Sequence, residues 1–228
     1  MIRQALISLA ALILPAALFG QANDGPFQIN YASHLSQGDG VVNVTNDGFT
    51  AGGSTPVVGG NSFGDICVNV FVYAPDQELA ACCSCLVTPN ALHSWPISFG
   101  PGNLLSNLNN TAIRNSIFGD GTGNGSVVIK LLGTLPTGAG AGTSDFCPRP
   151  DMANAVITAG LMAWGTHSHP TNIANAVSIT ETRFEPGNLS TGEFNKLQQD
   201  CSYLLTRGSG SVCPNCQTGG LAVPAPNL

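Results

Sequence analysis

The chain has 228 residues, 43% apolar and only 9% charged, with 13 acids against 7 bases and a net charge of −6. So few charges at a positive mean hydropathy exclude a disordered, solvating chain. An acidic balance without a basic run gives no footprint for nucleic acid or anionic lipid.

Residues 5–19 are almost wholly apolar, follow Arg3, and precede Gly20-Gln21-Ala22. That is the n-region, h-region and small-residue cleavage pattern of a secretory signal peptide over residues 1–22. The run is short for a spanning helix, and Pro15 interrupts it. The expectation is a single secreted β-rich domain over 23–228, outside the cell or on its surface. No membrane span is expected after cleavage.

Strand signals follow in order. Residues 41–45 are β-branched and end at Asn46-Asp47-Gly48, a turn sequence. Residues 66–73 are apolar nearly throughout, as a central strand is. Residues 82–88 and 94–99 are shorter strands, 100–125 read as loop, and 126–132 form another strand. Residues 155–166 fit a strand with a Gly bulge, or less well a helix, and 176–184 alternate as a half-buried strand does. One helix is expected near 190–207. Ser190 and Glu193 make a capping box, Leu197, Cys201 and Leu204 share a face, and Gly208 closes it. About seven strands with Gly-rich turns predict a mainly β fold: an antiparallel, immunoglobulin-like β-sandwich with one C-terminal helix.

The eight cysteines are Cys67, Cys82, Cys83, Cys85, Cys147, Cys201, Cys213 and Cys216. An even number in an exported chain points to disulfides, although sequence leaves the pairing open. Cys82-Cys83-Ser84-Cys85 and Cys213-Pro214-Asn215-Cys216 are weighed as thiolate metal ligands or a redox pair. One knuckle and an irregular triplet fit a zinc site poorly, and no helix pattern follows the second cluster to activate a thiol.

The block Cys82-Cys83-Ser84-Cys85-Leu86-Val87-Thr88-Pro89-Asn90, taken with the strands around Cys67, Val127 and Trp164 and the Cys-rich end, resembles a group of secreted bacterial proteins. The group is largely uncharacterised, and the resemblance implies no site residue.

Other chemistry is sparse. His167 and His169 would share one face of a strand, as two metal ligands do, but no third ligand is near in sequence. No serine stands in a nucleophile elbow. Asp39, Asp47 and Asp120 sit in Gly- or Asn-flanked turns. They lack the spacing of a calcium loop, so calcium is considered there only as a structural stabiliser, and no cofactor is expected. Sugar sites favour aromatic rings beside amides, which makes Trp95 and Trp164 the ligand candidates against a core role for each. The leading expectation is a non-catalytic structural or surface-interaction protein, associating with itself or with surface polysaccharide. The alternatives are a carbohydrate-binding module and, after it, a secreted hydrolase or metal protein.

Overall fold

The computed structural model describes residues 25–36, 39–48, 64–89, 91–119, 125–136, 147, 155–173 and 176–211. The proposed signal peptide, Asp120, Cys213 and Cys216 lie outside them.

Among the described residues the chain forms two antiparallel sheets and two helices. Sheet A has the order β4-β3-β6-β1-β9, from Leu79–Val87, Ile66–Tyr73, Val127–Thr134, Phe27–Ala32 and Glu185–Pro186. Sheet B has the order β5-β2-β7-β8, from Leu92–Pro96, Gly40–Asn46, Leu161–Pro170 and Val177–Arg183. Helix α1 spans Thr111–Phe118 and α2 spans Thr191–Arg207.

The composition of β3 explains the layering. Every side chain of this strand is buried, so both of its faces must be covered. Val68, Val70 and Val72 pack with Val42, Val44, Trp95 and Ala163 of sheet B in the inner core. Phe71 and Tyr73 face the other way and pack under Leu197, Cys201 and Leu204 of α2. The order of layers is therefore sheet B, sheet A, α2. This is a β-sandwich with a C-terminal helix on one outer face.

Covalent and polar ties hold the layers. Cys82 and Cys201 are disulfide-bonded with their Cα atoms 5.8 Å apart, which fixes α2 to β4. Cys67 and Cys147 are joined with Cα atoms 5.5 Å apart. Cys83 and Cys85 are each engaged in a disulfide as well, so none of the three cysteines of the Cys82-Cys83-Ser84-Cys85 cluster is a free thiol. Two buried amides bridge the sheets. Gln28 Nε2 of β1 donates to the Leu161 carbonyl of β7 at 2.6 Å. Asn46 Nδ2, at the end of β2, donates to the carbonyls of Gly64 and Val87 at 2.7 and 2.9 Å.

Four local features differ from the sequence reading. The strand β1 was not expected, although Phe27-Gln28-Ile29-Asn30-Tyr31 alternates. Helix α1 lies within residues read as loop; Asn110 caps it by accepting from Ala112 and Ile113, and Ile113 and Ile117 bury one turn apart. The strand expected from 155 begins at Leu161, after Gly160 at φ +104°. The strand β8 alternates as expected but is not half-buried: Ser178 to Arg183 are all exposed. It overhangs the sandwich, so neither face meets the core.

Candidate functional site

The outer face of sheet B is the broad face that no described strand or helix covers. Alternation along each strand assigns its residues. Val42, Val44, Ala163 and Trp95 point into the core, so Asn43, Ser94, Trp164 and Thr166 point outward. Antiparallel register sets Trp164 between Asn43 of β2 and Arg183 of β8. Ser94 lies opposite Asn43 on β5, and Glu181 lies opposite Thr166 on β8.

These groups form one hydrogen-bonded line across all four strands. Ser94 Oγ donates to Asn43 Oδ1 at 2.7 Å. Asn43 Nδ2 donates to Thr166 Oγ1 at 2.8 Å. Thr166 Oγ1 donates to Glu181 Oε1 at 3.3 Å. Asn43 is only 8% exposed, so its amide is fixed in orientation. Beside the line lie the part-buried Trp164 ring and, one row on, Met162 and Leu92, which are 37% and 52% exposed. An aromatic ring flanked by a fixed amide, two hydroxyls and a carboxylate presents apolar and hydrogen-bonding groups side by side. That is the chemistry a polyhydroxylated ligand needs.

The two tryptophans thus separate. Trp164 belongs to the open face, whereas Trp95 lies in the inner core at 4% exposure and turns its ring to His93, centroids 5.8 Å apart. Burial leaves Trp95 no face for a ligand. Asn43, Ser94, Thr166 and Glu181 were not singled out from sequence. Each is a polar residue alternating with apolar neighbours, a pattern that marks an outward face but not which strands will adjoin.

His167 and His169 do share a strand face, at the rim between the sheets. Their rings stack with centroids 6.4 Å apart. His169 Nε2 lies 3.4 Å from Thr180 Oγ1, and Asn30 of β1 donates to Thr182 Oγ1 at 3.1 Å beside them. Gly165 permits this approach, because a Cβ there would come within 3.2 Å of Asn30 Nδ2 and 3.3 Å of His167 Nε2. Among the described residues no group of three or more His, Cys, Asp or Glu side chains could hold a metal ion.

Of the turn acids, Asp39 has structural partners. Asp39 accepts the Ser98 N–H at 3.1 Å through its carboxylate, and its carbonyl accepts the Ser168 N–H at 3.0 Å. Burial raises its carboxyl above the usual range, against the hydrogen bonds from Ser98.

Burial lowers His93 and His167 below their ordinary value of 6.5, and the neighbouring His169 lowers His167 further. The unfolded chain therefore takes up these protons before the folded one does. Stability is fully present above pH 6.5 and is lost as pH falls below it. Unfolding midpoints measured between pH 8 and pH 5 are expected to hold above about pH 6.5, the ordinary histidine value, and to fall below it. His167→Gln is expected to flatten part of that drop. A profile equally steep in the variant would contradict it.

A second concavity, about 520 Å³, opens between α2, the start of α1 and the β3–β4 turn. Gln77, Glu78, Asn110, Gln199 and Tyr203 line it, and Tyr203 is 61% exposed. The Asp200 carboxylate at its wall is already committed. It accepts from the Tyr73 hydroxyl at 3.0 Å and pairs with Lys196. Burial, followed by the Asp200 charge, raises Tyr73 far above its ordinary value, so the phenol remains a donor.

Comparison with protein-family models, curated proteins and solved structures finds no match for this chain. No described helix is long and apolar enough to cross a membrane.

Proposed function

We propose that the protein works outside the cell as a non-catalytic surface-interaction protein, and that the outer face of sheet B is its contact face. The observation that carries this reading is the Ser94–Asn43–Thr166–Glu181 line beside Trp164. On sheet A, α2 covers the outer face over β3 and β4 and leaves Tyr31 and Val128 exposed beyond it, whereas no described strand or helix lies on the outer face of sheet B. The disulfides and the signal-peptide pattern of residues 1–22 support export. The resemblance of the Cys82–Asn90 block to secreted bacterial proteins points the same way.

Polysaccharide is the contact this face suits best. A flat row of two hydroxyls and a carboxylate, held in place by the buried Asn43 amide, matches ring hydroxyls, and Trp164 offers a surface for sugar C–H groups. On a glycan array the secreted chain is expected to retain a polysaccharide. Trp164→Ala is expected to weaken that retention by about tenfold or more, the loss of one aromatic anchor. Retention unaltered by Trp164→Ala would remove the sheet B face from the account.

A further inference from the structure

We propose that residues 212–216 form a covalent strap along the outer edge of β4, held by the disulfides Cys83–Cys213 and Cys85–Cys216. The argument starts from the cysteines left over once two bridges are placed. Cys67 is joined to Cys147 and Cys82 to Cys201. Cys83 and Cys85 are each engaged in a disulfide. They do not serve one another. The ladder of β3 with β4 runs without a register shift through Val68–Cys85 and Val70–Cys83. Two residues apart on so regular a strand, Cβ atoms stand roughly 6.6 Å from one another, against the roughly 3.5–4.5 Å a bridge needs. Of the eight cysteines in the chain, Cys213 and Cys216 are the two that remain to receive them.

The chain leaving α2 is delivered to this edge. Gly208 closes the helix in the left-handed conformation, at φ +62°. Gly210 lets the backbone pass between Leu204 and β4, because a Cβ there would collide with Leu204 and come within 2.8 Å of the Ala80 carbonyl oxygen. Ser211 then joins β4 as a parallel neighbour of Ala81. Its N–H donates to the Ala80 carbonyl at 2.8 Å, and its carbonyl accepts the Cys82 N–H at 3.1 Å. Ser211 is fully buried, and its hydroxyl accepts the Asn107 N–H at 3.3 Å, so its position is fixed. Cys83 and Cys85 lie on the same face of β4 as Ala81, in the inner core. Parallel neighbours point their side chains to one face, so two residues past Ser211 bring Cys213 alongside Cys83. Cys216 stands three residues further on, against two from Cys83 to Cys85. Pro214-Asn215 supplies the turn that takes up the extra residue.

The burial of β4 supports a covered edge. It is the last described strand of sheet A, yet of its nine residues only Leu86 is not buried. The edge strand of sheet B, β8, is exposed from Ser178 to Arg183. An open edge offers N–H and C=O groups to any strand that meets it, so the strap closes sheet A against strand addition at β4. Each bridge forms as two thiols give up two protons and two electrons to an exchanging disulfide, which leaves as two thiols. The strap goes beyond the polysaccharide reading and does not depend on it.

Tryptic digestion of the non-reduced protein, read by mass spectrometry, tests the pairing. Cleavage after Arg207 separates residues 208–228 from α2. That peptide is expected to stay linked to the one carrying Cys83 and Cys85 and to leave it only on reduction. Its release before reduction, with Cys213 bonded to Cys216 inside it, would overturn the proposal. The variant Cys83→Ser reads the register. One thiol is expected to take an alkylating label under denaturing, non-reducing conditions, and that thiol is Cys213. Label at Cys216 would overturn the register, and label at Cys85 would overturn the strap itself. The wild-type digest decides the strap even where the variant fails to fold.

Discussion

Replacing Cys82 and Cys201 together by alanine is expected to destabilise the protein by about 2–5 kcal/mol. The bridge closes a separation of 119 residues, so breaking it releases a large loop in the unfolded chain. It also loosens α2 from sheet A, where Leu197 and Leu204 cover Phe71 and Tyr73. Both cysteines are changed because a single change would leave a buried thiol. Urea unfolding of the non-reduced protein reads the loss. Hydrogen exchange in α2 is expected to rise before exchange in β3, because the helix is held by one face and β3 by two. An unchanged urea midpoint would contradict the role given to this bridge. Alkylation of the denatured, non-reduced wild type is expected to modify no cysteine.

Asn46→Ala is expected to cost about 3–5 kcal/mol, a large figure for one amide. Asn46 is fully buried and serves three backbone groups. Its Nδ2 donates to the carbonyls of Gly64 and Val87, and its Oδ1 accepts the Gly48 N–H at 2.9 Å. Alanine would remove these bonds from two carbonyls at a buried site and from the part-buried Gly48 N–H, each at about 1–3 kcal/mol before relaxation. Asn46→Asp separates the two functions. The carboxylate still accepts from Gly48 but cannot donate, and it adds a buried charge. It is expected to be at least as damaging as alanine in thermal unfolding. A tolerated aspartate would show that the two donated bonds do not hold the sheets together.

The parts of the fold that were legible in the sequence are those fixed by local pattern. Residues 66–73 announce a doubly covered strand because nearly every position is apolar. Ser190, Glu193 and Gly208 mark the ends of α2 because capping chemistry is local, and Ser190 does accept from the Glu193 N–H. What was missed depends on partners far along the chain. Gln28 reads as a polar surface residue, yet it is 1% exposed because Leu161 supplies an acceptor. The α1 helix has only eight residues, too few for periodicity to stand out from the surrounding Gly, Asn and Ser. The half-buried reading of 176–184 failed because alternation shows two faces but not whether a core reaches either.

The same limit governs the candidate site. Trp164 was visible as an aromatic in a strand. Its setting comes from β2, β5 and β8, joined by register that the sequence does not state. Trp95 has the same composition cues, and only the assignment of its inner face removes it. The disulfides behave alike: the sequence places Cys201 on the apolar face of a helix, and Cys82 as its partner came from the fold.

The account is tested most directly by co-sedimentation of the secreted chain with insoluble polysaccharides, comparing wild type, Trp164→Ala and Tyr203→Ala. Tyr203 lies in the α2 concavity, on the far side of sheet A from the proposed face. The expected result is a bound wild type, equal binding by Tyr203→Ala, and binding by Trp164→Ala reduced about tenfold or more. Binding lost with Tyr203→Ala and kept with Trp164→Ala would contradict the account and move the contact site to the concavity beneath α2.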